Sequence, residues 1–137
     1  RSDPGDVEVI LDFGMFLPVQ YAAIAALTGP LDFVKAQNRA YQDRRDALCG
    51  GLRDIGWPVP DSHGSMFVWA PIPAGYASSM DFCLDLVEQS GVLCTPGASF
   101  GPLGEGYVRF ALTLPPARIR LAVAAIAESG ILSQNRT

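Results

Sequence analysis

The sequence predicts an α+β fold, a two-layer domain in which helices cover one face of a small, mostly antiparallel sheet. Three observations lead to this prediction. Three short runs are rich in aromatic and β-branched residues, helical patterns lie between and after them, and a long helical stripe precedes them. Of the 137 residues, 49% are hydrophobic and 18% are charged, so the chain has enough apolar side chains for a core.

The first part of the chain predicts two helices after an irregular segment at residues 1–18. The run QYAAIAAL at residues 20–27 is apolar almost all round, which predicts a short buried helix. Between residues 31 and 55, apolar residues recur at steps of seven, four and three, which predicts one helix of roughly 25 residues. Most helices are about half this length. We therefore interpret residues 19–56 as a short helix and a long bridging helix.

The remaining residues, 57–137, predict the small α+β domain. Strands are expected at 66–71, 92–95 and 107–112, and helices at 79–90 and 116–129. Ser78 and Asp81 have the spacing of a capping box at the first of these helices. Gly91 and Gly130 follow the two helices and suit their C-terminal caps, while Pro116 suits a first helical position.

Composition and charge exclude several function classes. The formal net charge is −4 and no basic run is present, which argues against a nucleic-acid partner. No apolar stretch is long enough to span a bilayer, so no membrane is expected. Cys49, Cys83 and Cys94 fit no zinc or redox spacing, and we expect buried free thiols in a cytoplasmic protein. The single histidine, His63, is interpreted as a turn residue, and no metal site is predicted.

Arg109 is the candidate binding residue, because it interrupts the apolar run YVRFALT. Side-chain alternation directs Val108 and Phe110 toward the helices and Arg109 toward the opposite face. A guanidinium on that face suits bidentate capture of a carboxylate or phosphate. The alternative is a local ion pair, for example with Glu105. A glycine-rich phosphate loop is disfavoured, because a strand rather than a helix follows TPGASFGPLGEG.

Three linked segments resemble the class I/II aminotransferases, fold-type I enzymes that depend on pyridoxal 5′-phosphate. GVLCTPGASFGPLGEGYVRFALT is similar to the family's substrate-carboxylate segment, GSMFVWAPIP to its G-x-x-F-x-W strand, and DFGMFLPVQYAAIAAL to the segment before its long interdomain helix. The similarity is greatest to bacterial aspartate, alanine and LL-diaminopimelate aminotransferases. It implies that the chain is the C-terminal part of a cytoplasmic, homodimeric enzyme, and that residues 1–18 lead in from a missing large domain.

The resemblance also implies roles for individual residues. Arg109 matches the arginine that grips the α-carboxylate of the amino acid or 2-oxo acid, in a small domain that closes the active site. Phe16, Leu17 and Phe100 are candidates for the pocket lining, with core packing as the alternative. The family's Schiff-base lysine and cofactor contacts lie upstream of the matching segments. Lys35, in the first turn of the long helix, has no cofactor context. We therefore expect no catalytic or cofactor-binding residue in this chain, and no activity of the chain alone.

Two other hypotheses remain at this point. The chain is either a free-standing ligand-binding or oligomerisation domain descended from the same fold, or a fragment without a function of its own. The start RSDPGD, which has no methionine, favours a fragment. The sequence does not identify the amino donor.

Overall fold

The computed structural model describes residues 15–133, and this part contains four α-helices and three strands. In chain order they are α1 (Leu17–Thr28), α2 (Asp32–Asp54), β1 (Phe67–Pro71), α3 (Ser79–Ser90), β2 (Thr95–Pro96), β3 (Tyr107–Ala111) and α4 (Pro116–Ser129). Short 3-10 turns cover Gly97–Phe100, Pro102–Gly104 and Ile131–Ser133. The chain divides into two compact units, and the boundary falls between Ala36 and Gln37.

In the first unit, the predicted short helix is confirmed but its predicted burial is wrong. A proline in its first turn helps α1 to begin, and the helix buries no side chain. Tyr21 is 67% exposed and Leu27 is 82% exposed. An apolar helix needs a packing partner on each face to be buried, and the described part of this unit is only α1 and the start of α2. Most of the predicted irregular segment at 1–18 lies outside the described residues.

The predicted long helix is confirmed as α2, which runs without a break through its two adjacent glycines. Its bounds fall within one residue of the predicted 31–55. In the second unit, α2 buries Leu48, Cys49 and Leu52 in the core. Four members of the predicted apolar stripe lie in or against this core, namely Tyr41, Leu48, Leu52 and Ile55, whereas the fifth, Val34, is 46% exposed.

The sheet is antiparallel, with strand order β1-β3-β2, so β3 lies in the centre. Strands β1 and β3 were predicted within one residue. A second strand is present, but its predicted bounds of 92–95 are wrong, because only Thr95 and Pro96 pair with β3. Ser90 Oγ accepts the N–H of Val92 at 3.3 Å, which commits that backbone group to a turn, and Pro96 has no N–H to extend the pairing.

The ends of α3 and α4 follow their predicted caps. Ser78 Oγ accepts the N–H of Asp81 at 3.1 Å and donates to the Asp81 carboxylate at 2.7 Å. Gly91 and Gly130 adopt left-handed conformations after the two helices, and α4 begins at Pro116. These caps are local, so they are satisfied without help from distant residues.

The core lies between the sheet and α2, α3 and α4. Trp57 is at its centre: its ring meets Phe82 and Phe110 edge-on, and its indole N–H donates to the Pro71 carbonyl at 2.7 Å. Val108, like Phe110, is buried on the helix side of β3. Trp69 and Arg109 lie on the other face of the sheet, where the first is exposed and the second half-buried. The predicted α+β architecture is confirmed.

The three cysteines are buried and free, as predicted. Cys83 Sγ on α3 lies 3.2 Å from Cys94 Sγ, just before β2. Burial raises the pKa of all three thiols, and that of Cys94 the most.

Within residues 15–133, no single helix has the length and apolar composition of a membrane span, although α1 and α2 taken together pass that test as a bent pair.

Candidate functional site

The site is built around Arg109, which occupies the middle of the central strand. Its backbone partners are Trp69 on β1 and Thr95 on β2. Directly paired residues point to the same face of a sheet. The three side chains therefore share the face opposite Val108 and Phe110, and Arg109 itself is half-buried there.

Two aromatic rings hold the Arg109 guanidinium. Its central carbon lies 4.0 Å from the ring centre of Phe67 and 4.1 Å from that of Phe100. Trp69 meets the Phe100 ring edge-on, with 5.4 Å between the ring centres. We call Phe67, Trp69 and Phe100 the aromatic cradle. Rings cover the flat faces of a guanidinium and leave the N–H groups at its edge available for hydrogen bonds.

Arg109 has no carboxylate partner among residues 15–133. The ion pairs in that part of the chain join Arg45 to Asp46 and Arg53 to Asp61. The structure does not support the alternative of an ion pair with Glu105, because that carboxylate accepts hydrogen bonds from Ser79 and Gly106 instead. A partly buried cation without a counter-ion is suited to bind an anion from outside this part of the chain.

Glu105 accepts three hydrogen bonds at the N-terminus of α3. Its Oε1 accepts the backbone N–H of Ser79 at 2.6 Å and that of Gly106 at 2.8 Å, and its Oε2 accepts the Ser79 hydroxyl at 3.2 Å. The N–H groups of Gly106 and Ser79 hold the pKa of the Glu105 carboxyl below its ordinary value. The carboxylate is therefore ionised where the helix dipole favours a negative charge.

The glycine-rich loop folds into two 3-10 turns that touch through their backbones. A Cβ on Gly97 would collide with the carbonyl oxygen of Gly104 and would lie 2.6 Å from that of Tyr107. The close approach needs glycine at both turns. With the loop folded in this way, the Phe100 ring lies over Arg109. The glycines are thus explained by the packing of the loop, and a phosphate-binding role is not needed to account for them.

Beside the cradle lies an open apolar pocket of about 370 Å³, lined by Trp69, Phe100, Leu103, Gly104 and Tyr107. Leu103 is 98% exposed. A larger and more polar cavity of about 680 Å³ lies between α2 and residues 62–67 and includes Arg45 and His63. Arg109 lines neither cavity, although Phe67 lines the larger one. No group of three metal-ligating side chains occurs in the described residues.

The predicted site residues lie in different places. Arg109 and Phe100 are in contact in the second unit, whereas Phe16 and Leu17 belong to the first. Phe16 is 73% exposed, Leu17 60% and Phe100 48%, so the alternative of core packing is wrong for all three. The core of the described residues is formed by side chains of the sheet and of helices α2, α3 and α4, and none of these three phenylalanine and leucine side chains belongs to it.

Sequence reasoning missed Phe67, Trp69 and Ser79 as parts of this site. Alternation along MFVWAP places Phe67 and Trp69 on one face, and this signal was available. Ser79 is fully buried and linked to Glu105 across the fold, and nothing local to its sequence indicates that contact.

Comparison with known proteins identifies the family. The model of the family "Aminotransferase class I and II" matches residues 13–126. The chain belongs to this family. Members of the class I and II aminotransferases depend on pyridoxal 5′-phosphate, and the resemblance stated from the sequence is confirmed.

Individual relatives with similar sequences or structures are named aminotransferases. The chain is 42% identical over 127 residues to the LL-diaminopimelate aminotransferase of Halothermothrix orenii, covering 93% of this chain and 32% of that protein. It is 44% identical over 115 residues to the enzyme of the same name from Desulforudis audaxviator, covering 84% and 29%. The structure of an aminotransferase from Staphylococcus aureus matches with a TM-score of 0.81 at 32% identity, covering 94% and 34%. This aminotransferase chain thus spans about a third of the length of the curated relatives it matches.

The described residues of this aminotransferase chain do not fit a pyridoxal phosphate site. An imine requires a lysine, and the sequence contains one, Lys35. Lys35 is exposed in the first turn of α2, and its backbone N–H donates to the Leu31 carbonyl at 3.0 Å. The Lys35 side chain forms no ion pair with another residue among residues 15–133.

Proposed function

We propose that this chain forms the bridging helices and small domain of an aminotransferase, and that Arg109 binds the α-carboxylate of the substrate. The whole protein then transfers an amino group between an amino acid and a 2-oxo acid. The observation that carries the proposal is the guanidinium of Arg109, held by two rings and without a counter-ion in the described residues.

The chemistry of this arrangement suits a carboxylate. The fork of N–H groups on a guanidinium matches the two oxygens of a carboxylate, and the rings restrict the side chain before the ligand arrives. A carboxylate held at two points fixes the direction of the bonds at the neighbouring carbon. Arg109 therefore orients the substrate, while the bound cofactor supplies the electron sink.

The proposal assigns the remaining parts as follows. Residues 1–18 lead in from a large domain, residues 19–56 bridge the two domains, and residues 57–137 form the small domain, which closes the active site. The large domain supplies the lysine and the cofactor contacts, so we expect no transamination by this chain alone. Phe16, Leu17 and Phe100 are each candidates for lining the substrate pocket of the whole enzyme. The enzyme is a cytoplasmic homodimer, and the free thiols are consistent with a reducing compartment.

The test is half-transamination by the full-length enzyme with Arg109→Ala and Arg109→Lys, using several amino acids. We expect Arg109→Ala to lose on the order of 2–5 kcal/mol of transition-state binding, measured as kcat/KM. Arg109→Lys recovers part of this, because an ammonium lacks the planar fork. Arg120→Ala, which removes an exposed arginine of α4, is the matched control. A near-wild-type kcat/KM for Arg109→Ala would overturn the proposal.

A further inference from the structure

A small polar network ties the glycine-rich loop to the start of α3. Glu105, at the end of the loop, accepts both the N–H and the hydroxyl of Ser79. The same hydroxyl oxygen accepts the N–H of Ala98, near the start of the loop, at 3.3 Å. Two points of the loop are thus bonded to one fully buried serine of α3.

The segment between these two points carries Phe100, one wall of the aromatic cradle. Phe100 is 48% exposed, so burial alone does not fix its ring over Arg109. The backbone-to-backbone hydrogen bonds of the two 3-10 turns stay within the loop, and the loop's end accepts one from outside, where the Gly106 carbonyl accepts the N–H of Ile72 at 2.9 Å. The hydrogen bonds to Ser79 are therefore what joins the loop to α3 on both sides of Phe100.

Glu105 is also the acid nearest to Arg109 along the sequence. Its two oxygens are already occupied by three donors, and the positive end of the α3 dipole favours its charge there. This arrangement keeps the carboxylate from pairing with Arg109. The cation remains available to a ligand, although an acid lies only four residues away.

We propose that Glu105 is a positioning residue for the Arg109 site: its carboxylate fastens the loop at residues 97–106 to α3 and so holds Phe100 against the guanidinium. The inference rests on the proposed function of Arg109 as the carboxylate-binding residue. Glu105 acts through the loop and does not touch the substrate.

The experiment compares Glu105→Ala, Glu105→Gln and Ser79→Ala in the full-length enzyme. Glu88→Ala, at an exposed glutamate of α3, is the control. Hydrogen exchange by mass spectrometry reports on residues 97–106, with α4 as the internal reference. Steady-state kinetics with an amino acid substrate separates KM from kcat.

For Glu105→Ala we expect faster hydrogen exchange in the loop and unchanged exchange in α4. We also expect KM to rise about tenfold while kcat is nearly unchanged, because a displaced aromatic cradle weakens ground-state and transition-state binding alike. Glu105→Gln restores much of the KM, because its amide oxygen still accepts the N–H groups of Ser79 and Gly106. Ser79→Ala has a smaller effect than Glu105→Ala. General destabilisation would instead lower the active fraction, and hence kcat, without raising KM.

Wild-type loop exchange and wild-type KM in Glu105→Ala would overturn the inference, and so would a fall in kcat at unchanged KM with faster exchange throughout. Arg109→Ala in the same assay separates the two proposals. If that variant keeps a near-wild-type kcat/KM, the proposed function fails. Loop exchange then still shows whether Glu105 fastens the loop.

Discussion

Trp69 and Arg109 are paired across β1 and β3, on the face of the sheet that lies away from the core. The pairing connects the guanidinium to the Phe100 ring, which Trp69 meets edge-on. One strand thus supplies the cation, the next supplies two rings, and the loop supplies the third. The candidate site depends on strand register as well as on side-chain identity, because a slip of one residue would turn Trp69 to the other face.

Removing one wall of the cradle should weaken the site without unfolding the domain. We expect Phe100→Ala to lower kcat/KM by roughly fivefold, corresponding to about 1 kcal/mol of cation–ring contact. The melting temperature should change little, because Phe100 is half-exposed. Phe33→Ala, the same substitution at a 72% exposed position, is the control for activity. An unchanged kcat/KM in Phe100→Ala would show that the ring does not order the guanidinium.

Two glycine-to-alanine changes should have opposite effects on stability. Gly97→Ala forces a Cβ against backbone atoms of Gly104 and Tyr107, and we expect it to cost roughly 2 kcal/mol or more of unfolding free energy. Gly50→Ala, inside α2, meets nothing within 4 Å and should stabilise the fold by roughly 0.5–1 kcal/mol. Urea unfolding measures both. Equal stability of the two variants would contradict the close approach of the two turns.

The thiols should be unreactive in the folded protein. All three are buried with raised pKa values, so the reactive thiolate is scarce at neutral pH. We expect a thiol reagent such as DTNB to modify them slowly in buffer and quickly in urea, where all three become accessible. Cys94, which has the most raised pKa, should react last. Rapid modification of the folded chain would show that Cys83 and Cys94 are not enclosed as described.

The contribution of Glu105 to stability should disappear in acid. Its pKa in the folded state lies below the ordinary value of 4.5, so the stabilisation is present above that value and is lost as the pH falls through the lowered pKa. We therefore expect wild type to exceed Glu105→Gln in unfolding free energy at about pH 7, with the difference shrinking below pH 4.5. Because other carboxyl groups titrate in both proteins, the difference isolates Glu105. A difference that grew in acid would exclude the hydrogen bonds at Ser79 and Gly106.

The sequence predicted the features that local chemistry controls. The caps at Ser78 and Gly91 are formed by neighbouring residues, and alternation directed Arg109 correctly away from Val108. The second strand was predicted with the wrong bounds, because its extent depends on competition between pairing with β3 and the hydrogen bond from the Val92 N–H to Ser90 Oγ. The cradle and the Glu105 network were missed for a related reason: they join residues far apart in sequence, and only the register of β1 with β3 and the path of the loop bring them together.

The pairing of β1 with β3 also has a consequence for how the domain forms. Phe67 pairs with Ala111 and Pro71 pairs with Tyr107. The chain between the two strands contains α3, β2 and the glycine-rich loop, so pairing of β1 with β3 closes a long loop. Closing so long a loop is entropically costly, whereas the capped helices need only neighbouring residues. We therefore expect the helices to form before β1 and β3 pair. We likewise expect contact between Arg109 on β3 and the aromatic cradle, which comes from β1 and the loop, to form after the helices.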